Sequence, residues 1–251
     1  MTPPAPFARV LEPGSIADLV SLYSPAHIRA ALADLLALEA EIRTSARPDL
    51  DHAIAHVRLE WWQGEIERTL AGAPAHPLTR ALQLALAPHP LDLRPLVHSA
   101  RLEVAGLAGA EEALWDSFFE GSLGTVFSVL GQALGSSAPA ATLRTLGGAV
   151  QHLSTERGEP PASLGAALSA LESSLQPTLR PLLVWVALVG WRSARNLEIP
   201  DEASPLGLRL AMAQQWVAWR AARAAQAGSF RWRWPQVSSG RAGHAQELSK
   251  P

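Results

Sequence analysis

The stretch HVRLEWWQGEIERTLAGAPAHPLTRAL, residues 56–82, decides the fold. In its first half apolar residues recur every three to four positions, which predicts an amphipathic helix. These residues are Val57, Trp61, Trp62, Ile66 and Leu70. Gly72 and Pro74 end that helix, because glycine tolerates the left-handed cap and proline cannot continue the hydrogen-bond ladder. His76-Pro77 opens a second helix with proline in its first turn, and we expect His76 to serve that helix start rather than act as a base.

The composition favours an all-α protein with one domain. The chain has 251 residues, of which 48% are hydrophobic and 18% charged, as in a globular domain with a large core. Alanine and leucine dominate and β-branched residues are sparse, so helices are favoured over strands. Because there is no cysteine, disulfides, thiolate metal sites and cysteine nucleophiles are excluded.

Proline and glycine divide the chain into predicted elements. Residues 1–14 are predicted to be a flexible arm, 15–227 a helical domain, and 228–251 a disordered tail. Besides the double-tryptophan helix, the predicted helices are 16–22, 25–43, 78–87, 91–106, 111–134, 141–153, 162–175, 178–196 and 205–226. The longest apolar run, Leu182 to Trp191, is half of the roughly 20 residues that a membrane-spanning helix requires, so it is predicted to be a core helix. Gly121, Gly124 and Gly131 are expected to permit close contact between helices.

The double-tryptophan stretch resembles the squalene/phytoene synthase family. The resemblance rests on Arg58, the paired Trp61-Trp62, Gly72 and the His76-Pro77 step, and it can be followed over residues 22–135. It is strongest to the aspartate-poor branch, which includes the mitochondrial complex I assembly factor relatives, and it extends to small bacterial members. The resemblance implies an isoprenoid synthase fold, an all-α bundle of helices around a central apolar cavity.

The metal ligands that the resemblance implies are missing. The family ionises an allylic diphosphate with magnesium held by two D-x-x-x-D motifs, whose spacing places two carboxylates on one helix face. No two of the seven aspartates here are four residues apart. At the first motif, residues 31–45, the candidates are Glu39 and Glu41, and at the second, residues 147–160, Gln151 and His152 occupy the approach to the aspartate pair. We therefore predict no metal site and no cofactor.

A remodelled acidic site is the alternative. Glu112, Asp116 and Glu120 are spaced four residues apart, so they lie along one face of a helix. With Glu39 and Glu41 they are the candidate catalytic carboxylates of an active head-to-head prenyl transferase using magnesium and farnesyl or geranylgeranyl diphosphate. A solvated helix face is the ordinary explanation of such a ladder.

Several residues are candidates to line a ligand cavity. They are Arg58, Trp61, Trp62, Arg101, Phe118 and Gln151. The tryptophans are expected either to pack in the core or to form a wall for a prenyl chain. Arg58 and Arg101 are expected either to bind a phosphate or, preferably, to form buried pairs with glutamates. His52 and His56 have a spacing that can bind zinc, but a polar surface is the preferred interpretation.

Charge is unevenly distributed along the chain. From Arg180 onward there are 10 Arg or Lys and 4 Asp or Glu, a net +6, whereas the preceding residues carry −8. Interleaved tryptophan and arginine in this basic part suit a membrane interface, an anionic surface or a protein partner, although a helix docked on the core and followed by a disordered tail is the preferred interpretation. The residues are Trp216, Trp219, Arg220, Arg223, Arg231, Trp232, Arg233 and Trp234. No secretory signal and no nucleic-acid partner are predicted, and we expect a cytoplasmic location or a peripheral membrane one.

Three functions follow from these observations. The first is a pseudoenzyme that keeps the helical cavity, has lost the magnesium-dependent condensation, and binds an isoprenoid-like lipid, a membrane face or a protein partner. By analogy with its branch, a role like that of a complex I assembly factor belongs to this hypothesis. The second is the active prenyl transferase. The third is a purely structural scaffold with a filled cavity.

Overall fold

A computed structural model describes residues 13–87, 89, 91–107, 111–155, 161–171, 173–194 and 205–231. Within these ranges helices joined by turns and loops are the only regular structure and no strand is present, which confirms the predicted all-α class. The α-helices are α1 Ile16–Leu22, α2 Ala26–Thr44, α3 His52–Leu70, α4 Pro77–Leu86, α5 Arg94–Ala105, α6 Glu112–Gly121, α7 Leu123–Ala133, α8 Ala140–Thr155, α9 Ala162–Ala170, α10 Arg180–Ser193 and α11 Pro205–Gln226. A short 3-10 turn, Ser173–Leu175, precedes α10.

Helix α10 lies in the centre of the molecule. Every residue from Pro181 to Gly190 is buried, and α1, α8 and α11 pack around the helix. This confirms that the Leu182–Trp191 run is a core helix. No helix within the described ranges is both long and apolar enough to cross a membrane. Helix α2 also buries a continuous apolar face, from Ile28 to Ile42, as its sequence predicts.

Helices α7 and α8 approach each other closely, and glycine makes the contact possible. A Cβ atom on Gly147 would lie 2.6 Å from the carbonyl oxygen of Leu123, and one on Gly124 would lie 2.6 Å from that of Arg144. A side chain on Gly121 would likewise lie 2.8 Å from the Pro95 carbonyl oxygen in α5. The predicted role of the glycines in close helix contact is confirmed.

The predicted helix 111–134 is in fact two helices, and that prediction was wrong. The chain breaks at Ser122, whose ψ of −102° is not helical. The hydroxyl of Ser122 donates to Glu39 Oε1 at 2.7 Å, and the N–H of Leu123 donates to Gln151 Oε1 at 2.8 Å. Side chains from α2 and α8 thus satisfy polar groups at the break, which a pattern of apolar residues cannot reveal.

The predicted helix 162–175 is shorter in the structure. It ends at Ala170, because Leu171 is extended with ψ of 113°. Beyond α11, the buried Gln176 exchanges two hydrogen bonds with the backbone of Phe230, at 2.8 and 3.3 Å. Residues 228–231 therefore pack on the domain, while Trp232, Arg233 and Trp234 lie outside the described residues.

The buried face of α3 differs from the predicted one. Leu59, Trp62, Glu65 and Ile66 are buried, whereas Val57, Trp61 and Leu70 are exposed, by 70%, 47% and 41%. The residues at i, i+3 and i+7 from Leu59 share the inner face, and the apolar spacing alone pointed to the neighbouring face. The second half of the prediction is confirmed: Gly72 has a φ of +80° beyond the end of α3, and α4 begins with Pro77.

Candidate functional site

A buried carboxylate joins the two helices of the double-tryptophan stretch. Glu65 is fully buried, and its Oε1 accepts hydrogen bonds from the backbone N–H groups of Ala75 and His76 at 2.8 and 2.7 Å and from the Thr79 hydroxyl at 2.5 Å. Its Oε2 accepts two from Arg68, at 3.0 and 2.7 Å. Burial acts to raise the pKa of Glu65, but these hydrogen bonds outweigh it and lower the pKa to about 2. The role of Glu65 is not predictable from the sequence, because an acid on an apolar helix face gives no periodic signal.

The paired tryptophans close over the start of α4. Trp62 is buried with its ring centroid 5.0 Å from that of His76, and Trp61 lies edge-on to Trp62 at 4.9 Å. His76 Nδ1 accepts from the Leu78 N–H at 3.3 Å, so His76 caps α4, as predicted. Trp62 thus packs in the core, whereas the partly exposed Trp61 lies on the outer side of the pair with Arg68 5.9 Å from its ring.

Glu39 lies at the break between α6 and α7, within a group of charged side chains. Besides accepting from Ser122, it is 3.7 Å from Arg43, which also lies 3.5 Å from Glu103 of α5. Burial raises the pKa of Glu39; the hydrogen bond from Ser122 and the charge of Arg43 oppose that rise, and the charge of Glu103 adds to it. The carboxyl of Glu39 is therefore harder to ionise than an ordinary glutamate.

Gln151 of α8 faces the same break from the other side. Its amide oxygen accepts from Leu123, the residue after Ser122, so two consecutive residues link Glu39 of α2 to Gln151 of α8. Close contact at Gly147, one helical turn before Gln151, brings α8 against α7 and permits this bond. We call this arrangement the Glu39–Gln151 link. It occupies both positions at which the resemblance places aspartate motifs.

Asp34 was not among the predicted site residues. It lies in the part of α2 where the resemblance places the first aspartate motif. It is partly buried in α2, and burial raises its pKa. The residue four positions later, on the same helix face, is the fully buried Leu38. The place of a second carboxylate in an i, i+4 pair is thus taken by an apolar side chain.

The remaining candidate carboxylates point to different surroundings. Glu41 and Asp116 are exposed, and Glu120 accepts a hydrogen bond from the Thr145 hydroxyl of α8 at 2.6 Å. The side chain of Glu112 lies outside the described part of the chain. Among the described residues no three His, Cys, Asp or Glu side chains form a group that could hold a metal ion. Glu156 and Glu159, the acidic residues within the second motif region (147–160), are not among the described residues.

The other predicted cavity residues also lie apart. Arg101 pairs with Glu60 at 3.1 Å, but at the surface, and Arg58 is exposed, so the prediction of buried pairs was wrong for both. Phe118 is buried in a small aromatic cluster with Trp115 and Phe119. His52 and His56 are both exposed, with ring centroids 6.4 Å apart, in agreement with a polar surface.

Two cavities lie near other parts of the fold. One of about 220 Å³ lies beside the start of α3 and includes His52, Arg47 and Glu103 in its lining. The other, of about 420 Å³, is lined by Leu168, Leu171, Leu183, Phe230 and Arg231 between α9, α10 and the end of the described chain. None of the six predicted cavity residues lines either of these two cavities.

Replacing Glu39 with glutamine is expected to stabilise the protein at neutral pH. The amide oxygen still accepts from Ser122, and the free-energy cost of burying a charge disappears. Because the folded pKa of Glu39 is raised, its ionisation lowers stability as pH rises from about 4.5 through that pKa. In urea unfolding, the free energy of unfolding of Glu39→Gln should exceed that of wild type near pH 7. Below about pH 4.5 the two should be equal. A variant less stable than wild type at neutral pH would contradict this explanation.

Comparison with known proteins agrees with the sequence features. A family model described as squalene/phytoene synthase matches residues 17–154, more than half of the chain, from α1 to the last turn of α8. The match includes the double-tryptophan stretch and both ends of the Glu39–Gln151 link, and the all-helical architecture is consistent with that family's fold. Searches of curated proteins and of solved structures found no match. The chain belongs to the squalene/phytoene synthase family.

Proposed function

We propose that this protein is a family member that has lost the magnesium-dependent prenyl condensation and acts by binding. The observation that carries the proposal is the Glu39–Gln151 link. Magnesium is held by oxygen ligands, mostly carboxylates, that are free to face the metal. Here one motif position holds a glutamate that accepts from Ser122 and is hard to ionise, and the other holds a neutral amide that accepts from Leu123.

The resemblance to the squalene/phytoene synthase family suggests which classes of binding partner to consider. An isoprenoid-like lipid, a membrane face and a protein partner are the three classes that fit a helical synthase relative without its metal ligands. The resemblance to the aspartate-poor branch extends the proposal to assistance in respiratory complex I assembly, by analogy alone. Co-purification of complex I subunits with the tagged protein from its own cells supports that extension, and their absence removes it.

A turnover assay tests the loss of condensation. Purified protein is incubated with magnesium and with farnesyl or geranylgeranyl diphosphate, and extracts are analysed for squalene- and phytoene-type products. We expect no product above a heat-inactivated control. Product formation would favour the active transferase, which then predicts that replacing Glu39, Glu41, Glu112, Asp116 and Glu120 abolishes turnover. Turnover that survives this replacement rejects the remodelled acidic site as well.

A further inference from the structure

Helix α11 reverses the usual distribution of side chains. Among its described side chains alanines dominate the inner face, where Ala218, Ala221, Ala222 and Ala225 are buried and Val217 is partly buried. Its largest apolar side chains instead face outward. Met212, Trp216 and Trp219 are 65%, 55% and 48% exposed. A helix that only needed to cover the core would place its tryptophans inward, so this outer face calls for a binding explanation.

The outward residues form one continuous stripe. At about 100° per residue, Met212, Trp216, Trp219 and Arg223 fall within about 60° of the helix circumference. Arg220 lies directly beside them, with its guanidinium carbon 4.6 Å from the Trp216 ring centroid. The guanidinium of Arg223 lies 5.1 Å from the Trp219 ring centroid. We call these five residues the α11 aromatic–basic face.

The charge of this helix selects the kind of partner. Residues 205–226 contain three arginines and no acidic residue, and the chain from Arg180 onward carries a net +6. The outer side of α3 also exposes apolar residues, Ile54, Val57 and Trp61, but Glu60 and Glu67 lie between and beside them. Of these two apolar surfaces, the α11 aromatic–basic face has the positive charge that complements an anionic layer, and the outer side of α3 does not.

We propose that the α11 aromatic–basic face docks on an anionic lipid bilayer. The tryptophan rings and Met212 enter the boundary between headgroups and acyl chains, where amphipathic rings are favoured. Arg220 and Arg223, stacked on those rings, reach the lipid phosphates. The inference rests on the binding part of the proposed function and selects its membrane option. It uses no residue of the Glu39–Gln151 link, so it fails or stands separately from the loss of condensation.

Vesicle sedimentation with the full-length protein tests the inference. Vesicles of phosphatidylcholine alone are compared with vesicles containing about one third phosphatidylglycerol, an anionic lipid. We expect at least tenfold tighter binding to the anionic vesicles, and weaker binding as salt is raised, because screening reduces the attraction. Equal binding to both vesicles, or no binding to the anionic ones, would overturn the proposal and leave the face to a protein partner.

Matched variants locate the interaction. Trp216→Ala with Trp219→Ala, and separately Arg220→Gln with Arg223→Gln, are each expected to reduce binding to anionic vesicles at least tenfold. Val57→Ala with Leu84→Ala removes comparably exposed apolar side chains elsewhere and should leave binding unchanged. The proposal would be contradicted if a Trp232→Ala, Trp234→Ala variant lost binding to anionic vesicles and the α11 variants kept it. All these positions are changed in the full chain, and unfolding curves verify that each variant folds.

Discussion

Replacing Glu65 with alanine is expected to lower the free energy of unfolding by about 3–5 kcal/mol, because a fully buried carboxylate loses all its hydrogen bonds and bonds to charged groups contribute about 1.5–3 kcal/mol each. The change leaves the N–H groups of Ala75 and His76 without their side-chain acceptor, and the Thr79 hydroxyl keeps only the His76 carbonyl oxygen, at 3.0 Å. It also releases the loop that sets α4 against α3. Urea or guanidinium unfolding measures the loss directly.

The matched control for this variant is Glu67→Ala. Glu67 is on the same helix two residues later, but it is exposed and accepts only an exposed hydrogen bond from Gln63 at 3.1 Å among its described contacts. Its replacement should cost less than about 0.5 kcal/mol, as for most surface changes. Equal losses in the two variants would contradict the role assigned to Glu65.

The pH dependence of stability provides a second signature of Glu65. Its pKa falls from 4.5 to about 2 on folding, so its contribution is complete above about pH 4.5 and disappears as pH falls toward 2. A shift of this size corresponds to about 3 kcal/mol. The stability difference between wild type and Glu65→Gln should therefore shrink steadily below about pH 4.5. A difference that does not change with pH would show that the charge of Glu65 is not what stabilises the loop.

Replacing Gly147 with alanine is expected to destabilise the protein by about 2–3 kcal/mol, because overpacking outweighs the gain of about 1 kcal/mol in helix propensity. The new methyl group would lie 2.6 Å from the Leu123 carbonyl oxygen and 2.7 Å from Gly124 Cα. Both are backbone atoms, which cannot rotate away, so α7 and α8 must separate. Separation would also lengthen the bond between Gln151 and Leu123.

Gly165→Ala is the control for this second variant. Gly165 lies in the interior of α9, and a Cβ there would meet no atom within 4 Å. The substitution should raise stability by about 0.5–1 kcal/mol through helix propensity alone. Thermal or urea unfolding of the two variants should thus change in opposite directions. A Gly147→Ala variant as stable as wild type would show that α7 and α8 are not in the close contact described above.

The helices were predictable where one face is buried against a continuous core. The pattern of apolar residues and the positions of proline were enough to predict α2, the core helix α10 and the start of α4 at Pro77. Each of these depends on local periodicity or on proline. The break at Ser122 was not predictable, because it depends on partners from α2 and α8 that lie far away in the sequence. The inner face of α3 was misassigned because Glu65, not another apolar residue, occupies its centre.

The candidate site was predictable only in part. Missing aspartate pairs are visible in the sequence, and they direct attention to Glu39 and Gln151, which the structure places on either side of the break at Ser122 and Leu123. The link between these two residues depends on the contact of α7 with α8 and on one peptide at the helix break. Neither feature can be predicted from residue spacing. The family pattern makes Arg58 and Trp61 cavity candidates, but α3 turns both toward solvent.

Calorimetric titration with a non-hydrolysable farnesyl diphosphate analogue, with and without magnesium, tests the central proposal most directly. Magnesium bound by carboxylates strengthens diphosphate binding in a working synthase site. Because the proposed function has the Glu39–Gln151 link in place of those ligands, we expect the same weak or absent binding whether or not magnesium is present. Binding that requires magnesium would contradict the proposed loss of condensation and place the active transferase first.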